Sequence, residues 1–171
     1  IRPHFLFNSM NTIASLTQTD PRMAEEVVED LADLFRASLA TDSTETTLAE
    51  ELELARRYLN IESHRLGDRI RVIWEVSEVP GDAMVPPLIL QPLMESAVYH
   101  GIQPSAQGGA IRILGRCRNG YVEVSVRNSL PAPSGASGEP RRGHHIALQN
   151  VSQRMDSMFR GAASVTQSRV D

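Results

Sequence analysis

Lysine is absent from the 171 residues, so every one of the 17 basic side chains is an arginine, set against 21 acidic ones. With a formal net charge of -4, the chain lacks the broad basic surface that a phosphate backbone needs, and direct binding of DNA or RNA is not expected. Cysteine is nearly absent. The single Cys117 excludes an internal disulfide and a cysteine-based metal site, and directs the expectation to a reducing, cytoplasmic compartment. Long hydrophobic runs are missing too, since none approaches the roughly 18–20 residues that span a bilayer. The opening Ile1-Arg2-Pro3 shows neither an initiator methionine nor a signal-peptide pattern, so the chain reads as trimmed from a longer one at both ends. No internal repeat is present. What remains is near the globular average, with 41% hydrophobic and 22% charged residues, 11 Gly and 10 Pro. Its length corresponds to about one to one and a half domains, enough to bury a core without staples.

The first part of the chain has helical periodicity. Leu6, Met10, Ile13 and Leu16 recur every three or four residues, and Asp20-Pro21 reads as an N-cap followed by proline at the first helical position. Val27, Leu31, Leu34, Phe35 and Leu39 continue a second apolar stripe. Thr47-Leu48-Ala49-Glu50 is a capping box that opens a third helix, expected to end at Gly67. Three amphipathic stripes need partners, which points to a helical hairpin or a dimeric bundle.

Beyond residue 67 the period changes to two, with Ile70, Val72, Trp74 and Val76 alternating along a strand. Pro86-Pro87 introduces a helix over 88–100. Strands are expected at 110–118 and 121–128, joined by Asn119-Gly120 as a hairpin turn. Residues 129–145, rich in Gly, Pro and Ser, read as a loop, either a lid or a plain linker. A helix over 146–159, stopped by Gly161, and a short strand over 163–167 complete the pattern.

His4, Asn8 and Asn11 stand at i, i+4 and i+7, one polar stripe on the first helix. That spacing alone leaves two readings open, a solvated helix face or a displayed imidazole able to attack phosphorus. The surrounding residues carry more. The string Pro3-His4-Phe5-Leu6-Phe7-Asn8-Ser9-Met10-Asn11-Thr12-Ile13 resembles the phospho-acceptor box of LytS/YehU-type sensor histidine kinases. Tyr58-Leu59-Asn60-Ile61-Glu62, with Arg65, resembles that family's Y-L-x-I-E-x-x-R segment. Val85-Pro86-Pro87-Leu88-Ile89-Leu90-Gln91-Pro92-Leu93-Met94-Glu95, with His100-Gly101, resembles its V-P-P-L-x-L-Q-P-L-V-E box.

The resemblance implies an α+β chain. A helical dimerisation and phospho-acceptor region (1–67) precedes an ATP-binding sandwich of the GHKL, or Bergerat, type (68–171). It implies that His4 takes the γ-phosphoryl group of ATP with Mg²⁺ present, that Glu95 acts in catalysis, and that phosphate passes to a response regulator with a LytTR DNA-binding domain. A membrane-spanning sensor precedes this part in the family. The nucleotide residues implied are Ser96, which stands where the family has the Mg²⁺-binding asparagine, His100, Asn128 at the adenine-reading position, Gly143 and Asn150. Arg141 and Arg142 in the loop are read either as phosphate contacts or as solvated side chains.

Three boxes depart from the family pattern. Ser96 replaces asparagine, Asn128-Ser129-Leu130 replaces Asp-x-Gly, and Gly143-His144-His145-Ile146-Ala147 keeps one glycine of three. A hydroxyl is a shorter metal ligand than an amide, and non-glycine residues fold less easily around phosphate. A kinase and a pseudokinase-like module that controls its regulator without hydrolysing nucleotide therefore both fit. His144-His145 is not expected to hold a metal, because adjacent side chains seldom point at one ion. His64 is expected on a polar helix face, Cys117 in a buried strand position and Trp74 in the core.

Overall fold

Proline opens each of the first two helices, where its missing N–H and fixed φ carry no cost. The first, α1, runs Pro3–Thr19, and α2 runs Pro21–Leu39, capped by the Asp20 carboxylate, which accepts from the Met23 N–H at 3.1 Å. The chain is seen in a computed structural model that describes residues 2–40, 43–130 and 143–168, with backbone alone over 143–147. A two-residue strand, β1 (Thr46–Thr47), leads into α3 (Leu48–Leu66). The capping box forms as expected: Thr47 Oγ1 accepts from Glu50 N–H at 3.2 Å, and the Glu50 carboxylate accepts from Thr47 N–H at 3.0 Å. Replacing Thr47 by Ala will cost about 1 kcal/mol, read as a lower urea midpoint with an unchanged slope. Gly67 ends α3 with φ of +57°, a conformation natural to glycine.

The three helices pack on one another. Arg57 of α3 ties them further, pairing with Asp30 at 3.1 Å and Asp33 at 2.9 Å on α2, and Asn60 donates to Asp30 at 2.7 Å.

A three-stranded sheet follows, with β2 (Ile70–Glu75), β4 (Gly109–Arg118) and β5 (Tyr121–Asn128) in the order β2-β4-β5. Strands β2 and β4 are parallel, with Ile70 opposite Gly109, and β4 and β5 form an antiparallel hairpin. Asn119 and Gly120 have φ of 52° and 78°, the two left-handed residues that a type I′ turn requires. The crossover from β2 to β4 carries β3 (Met84–Val85), which pairs with β1, then α4 (Gln91–Ser96), which runs directly into a π-helical turn, Ala97–Ile102. Helix α5 spans Gly143–Phe159. One continuous core joins helices to sheet, through Val27, Leu34, Leu59, Met94, Ile111, Ile113 and Val151.

The structure departs from the sequence reading in several places. Residues 163–167 form no strand; Val165 packs against the core on its own, and its small and polar neighbours offer a ladder little to bury. The helix expected over 88–100 is shorter, because Leu88 adopts a φ of 55° and the regular helix begins only at Gln91. Helix α5 starts at Gly143 rather than 146. Met10 is 58% exposed, and the buried side of α1 carries Phe5 and Ser9, whose hydroxyl donates to the Phe5 carbonyl at 2.8 Å. Cys117 is exposed, because the end of the β4–β5 hairpin extends past the core. Trp74 packs against the core as expected but is only half-buried, with the Arg56 guanidinium 4.1 Å from its ring centre. The loop expected over 129–145 falls mainly outside the described residues.

Candidate functional site

Helical spacing sets out the first components. His4 lies exposed in the first turn of α1, and Asn8, one turn on, presents its amide nitrogen to His4 Nδ1 at 3.2 Å. A donated amide N–H takes the Nδ1 lone pair and puts the ring proton on Nε2, so attack through Nε2 needs the other tautomer, with the proton on Nδ1 and the Asn8 amide turned to accept it. On α3, Tyr58, Glu62 and Arg65 stand at i, i+4 and i+7, the spacing that stacks side chains on one helix face. Glu95 comes from α4, and Tyr99 from the π-helical turn.

These elements meet around one cavity of about 530 Å³, lined by Arg2, His4, Tyr58, Glu62, Arg65, Glu95 and Tyr99 among others. Charge is balanced across it. Arg65 Nε donates to the Glu62 carboxylate at 2.7 Å, and Arg2 Nε pairs with Glu95 at 3.3 Å while its guanidinium lies 5.2 Å from the Tyr99 ring centre. Burial pushes the Glu62 carboxyl above its ordinary value, opposed by the Arg65 charge and, more weakly, by His4. The Tyr58 phenol is raised well above its usual range by burial and by the carboxylates of Glu62 and Glu95. Phe5 packs on the Tyr58 ring with centroids 4.8 Å apart, which fixes the first turn of α1 against α3.

The structure therefore brings His4 and Glu95 to one cavity. Of the implied nucleotide residues, Ser96, His100, Asn128 and Asn150 do not line it. Ser96 is buried behind Glu95 in sequence, His100 stacks edge-on against Tyr99 at 4.9 Å, and Asn150 is exposed on α5. Asn128 donates its amide to the Ser129 carbonyl at 3.0 Å and packs where Gly101 leaves room, so its side chain is already engaged. Gly143 is described by its backbone alone, and Arg141 and Arg142 lie outside the described residues. No cluster of three or more His, Cys, Asp or Glu able to hold a metal occurs among the described residues. With one short hydroxyl, Ser96, at the expected Mg²⁺ position, the donor set among the described residues fits a metal poorly.

Arg2 and Tyr99 were not legible as site residues, since the contacts of Arg2 with Glu95 and with the Tyr99 ring join distant parts of the chain. Tyr58, Glu62 and Arg65 stood out only through their resemblance to a family segment, not as site residues; their i, i+4, i+7 spacing is the signal that could have found them.

The histidine kinase family model matches residues 1–70. The uncharacterized protein YwpD of Bacillus subtilis (strain 168) is 33% identical over 166 residues, covering 91% of this chain and 58% of that protein. The sensor histidine kinase YpdA of Escherichia coli (strain K12) is 31% identical over 93% of this chain and 29% of its own length. The sensor protein LytS of Staphylococcus haemolyticus (strain JCSC1435) is 27% identical over 93% of this chain and 29% of its own length. The chain thus spans between about a quarter and three fifths of these relatives. No described helix is long and apolar enough to cross a membrane. The chain is thus similar to the histidine kinase family model over its first seventy residues, and to sensor histidine kinases and LytS sensor proteins over more than nine tenths of its length.

Proposed function

We propose that this chain is the phospho-acceptor and nucleotide-binding part of a two-component sensor kinase, phosphorylated by ATP on His4 and passing phosphate to an aspartate of a LytTR-type response regulator. The observation that carries it is the placement of His4 on the wall of the cavity it shares with Glu62, Arg65 and Glu95. In the reaction, from the tautomer with the ring proton on Nδ1, the Nε2 lone pair forms a bond to the γ-phosphorus of ATP, the bond from that phosphorus to the β–γ bridging oxygen breaks to release ADP, and the Nδ1 proton passes to water. The exposed Phe7 and Met10 on α1 and Leu39 on α2 support a homodimer through the N-terminal helices. We place the phospho-acceptor region at 1–67 and a Bergerat-type domain at 68–171, on the cytoplasmic face of the inner membrane in the full protein. We also read the boxes as similar to those of the alginate- and pilus-regulating AlgZ/FimS sensor.

Incubation with γ-labelled ATP and Mg²⁺ tests this reading. Label is expected on the wild-type chain and not on a His4→Gln variant; equal label on both, or on neither, refutes it. The engaged Asn128 favours a second reading, a pseudokinase-like module that binds and controls the regulator without hydrolysing ATP. Calorimetry distinguishes the two, since ATP binding with a dissociation constant of roughly micromolar or below rules against the pseudokinase-like reading.

A further inference from the structure

The His4 cavity holds two carboxylates, Glu62 and Glu95, and two guanidiniums, Arg2 and Arg65, each cation paired with one anion. A phosphoryl group on His4 adds close to two negative charges to this balanced set. The carboxylates would repel it unless the arginines are shared anew. The two pairs are unequal in a way that decides which one gives. Arg65 is only 18% exposed, bonds Glu62 through two nitrogens, and Glu62 is 4% exposed. Arg2 is 41% exposed and holds Glu95 through a single 3.3 Å contact.

We propose that Arg2 and Arg65 form a receiving site for the phosphoryl oxygens of phosphorylated His4, and that filling it withdraws Arg2 from Glu95. This rests on His4 being the acceptor of phosphorus. Arg65 keeps Glu62 and turns its remaining N–H groups to the phosphoryl oxygens, since a guanidinium carries five donors. Arg2, the N-cap residue of α1 and the more exposed of the two arginines, exchanges one carboxylate for a more highly charged acceptor. The phosphorylation state of α1 is thereby coupled to the free or held state of the Glu95 carboxylate on α4.

Phosphoramidate tests this without a nucleotide site, which separates its failure from failure of the ATP reading. The ring lone pair forms the N–P bond, the P–NH₃⁺ bond breaks, and the proton shed by the ring leaves on ammonia as ammonium. The 171-residue chain, with Arg2→Gln and His4→Gln variants, is treated with potassium phosphoramidate and followed by ³¹P NMR. A phosphohistidine signal missing from the His4→Gln variant is expected in the wild type, decaying about five- to tenfold faster in Arg2→Gln. The Arg2 Nε–H signal is expected to shift on phosphorylation of the wild type and to stay in place in the treated His4→Gln variant. Equal decay in the wild type and Arg2→Gln, an Arg2 signal unmoved by phosphorylation, or no phosphohistidine at His4 would each overturn the proposal.

Discussion

Glu51→Ala will lower the unfolding free energy by about 2–4 kcal/mol, making it among the most damaging single changes on α3. The side chain is 1% exposed and reaches from α3 into the turn before α4. Its two oxygens accept from the N–H groups of Leu88 at 2.5 Å and Leu90 at 3.0 Å. Leu88 sits at a φ of 55°, a strained position for a branched residue, so the turn depends on this carboxylate to hold its shape. Removing it orphans two N–H groups, each at about 1–3 kcal/mol, partly offset by losing a buried charge. Glu51→Gln keeps one acceptor but sets an NH₂ against a backbone N–H, and an intermediate loss is expected. Urea unfolding measures all three.

The same carboxyl gives a pH signature. Burial raises the Glu51 pKa above its ordinary value, against the opposing pull of its backbone donors, and burial raises Glu62 likewise. A carboxyl whose folded pKa exceeds its unfolded one is more protonated when folded. Its contribution is therefore fully present below the ordinary carboxylate value and is lost as pH rises through the raised one. Stability from these two groups declines from mildly acidic toward neutral pH, and Glu51→Gln flattens that slope. A slope as steep in the variant as in the wild type would show that Glu51 does not titrate in that window.

How much of this was legible in the sequence depended on whether the signal was local. Thr47 with Glu50, Asp20 with Pro21, Gly67 and the Asn119-Gly120 pair all act within a few residues, and each marks a boundary the structure keeps. The paired strands β1 and β3 gave no sign, because two residues have no period and their hydrogen bonds join distant segments. Met10 fits a helical stripe by spacing, yet Ser9 takes the inner position, because its hydroxyl is satisfied by the preceding turn and needs no water. The site divided in the same way. His4 stood out by its box, and Tyr58, Glu62 and Arg65 only by the resemblance of their segment, whereas the ion pair between Arg2 and Glu95 depends on where the start of α1 lies relative to α4.

Met94→Ala will cost about 2–5 kcal/mol and will shift the unfolding of the whole chain, helices and sheet together. Met94 is fully buried on α4, which packs against both α3 and α5. It belongs to the same apolar cluster as Val27 and Leu34 of α2, Leu59 and Ile61 of α3, and Ile111 and Ile113 of β4. The proposed boundary near residue 67 therefore crosses a shared interior rather than an exposed linker, and a core continuous across it favours one cooperative transition. Circular dichroism, dominated by the helices, and fluorescence of Trp74 on β2 then report the same midpoint in urea, in the wild type and in the variant. If the two midpoints separate, with only one moved by Met94→Ala, the helical and sheet parts unfold independently, and the cluster around Met94 contributes to just one of them.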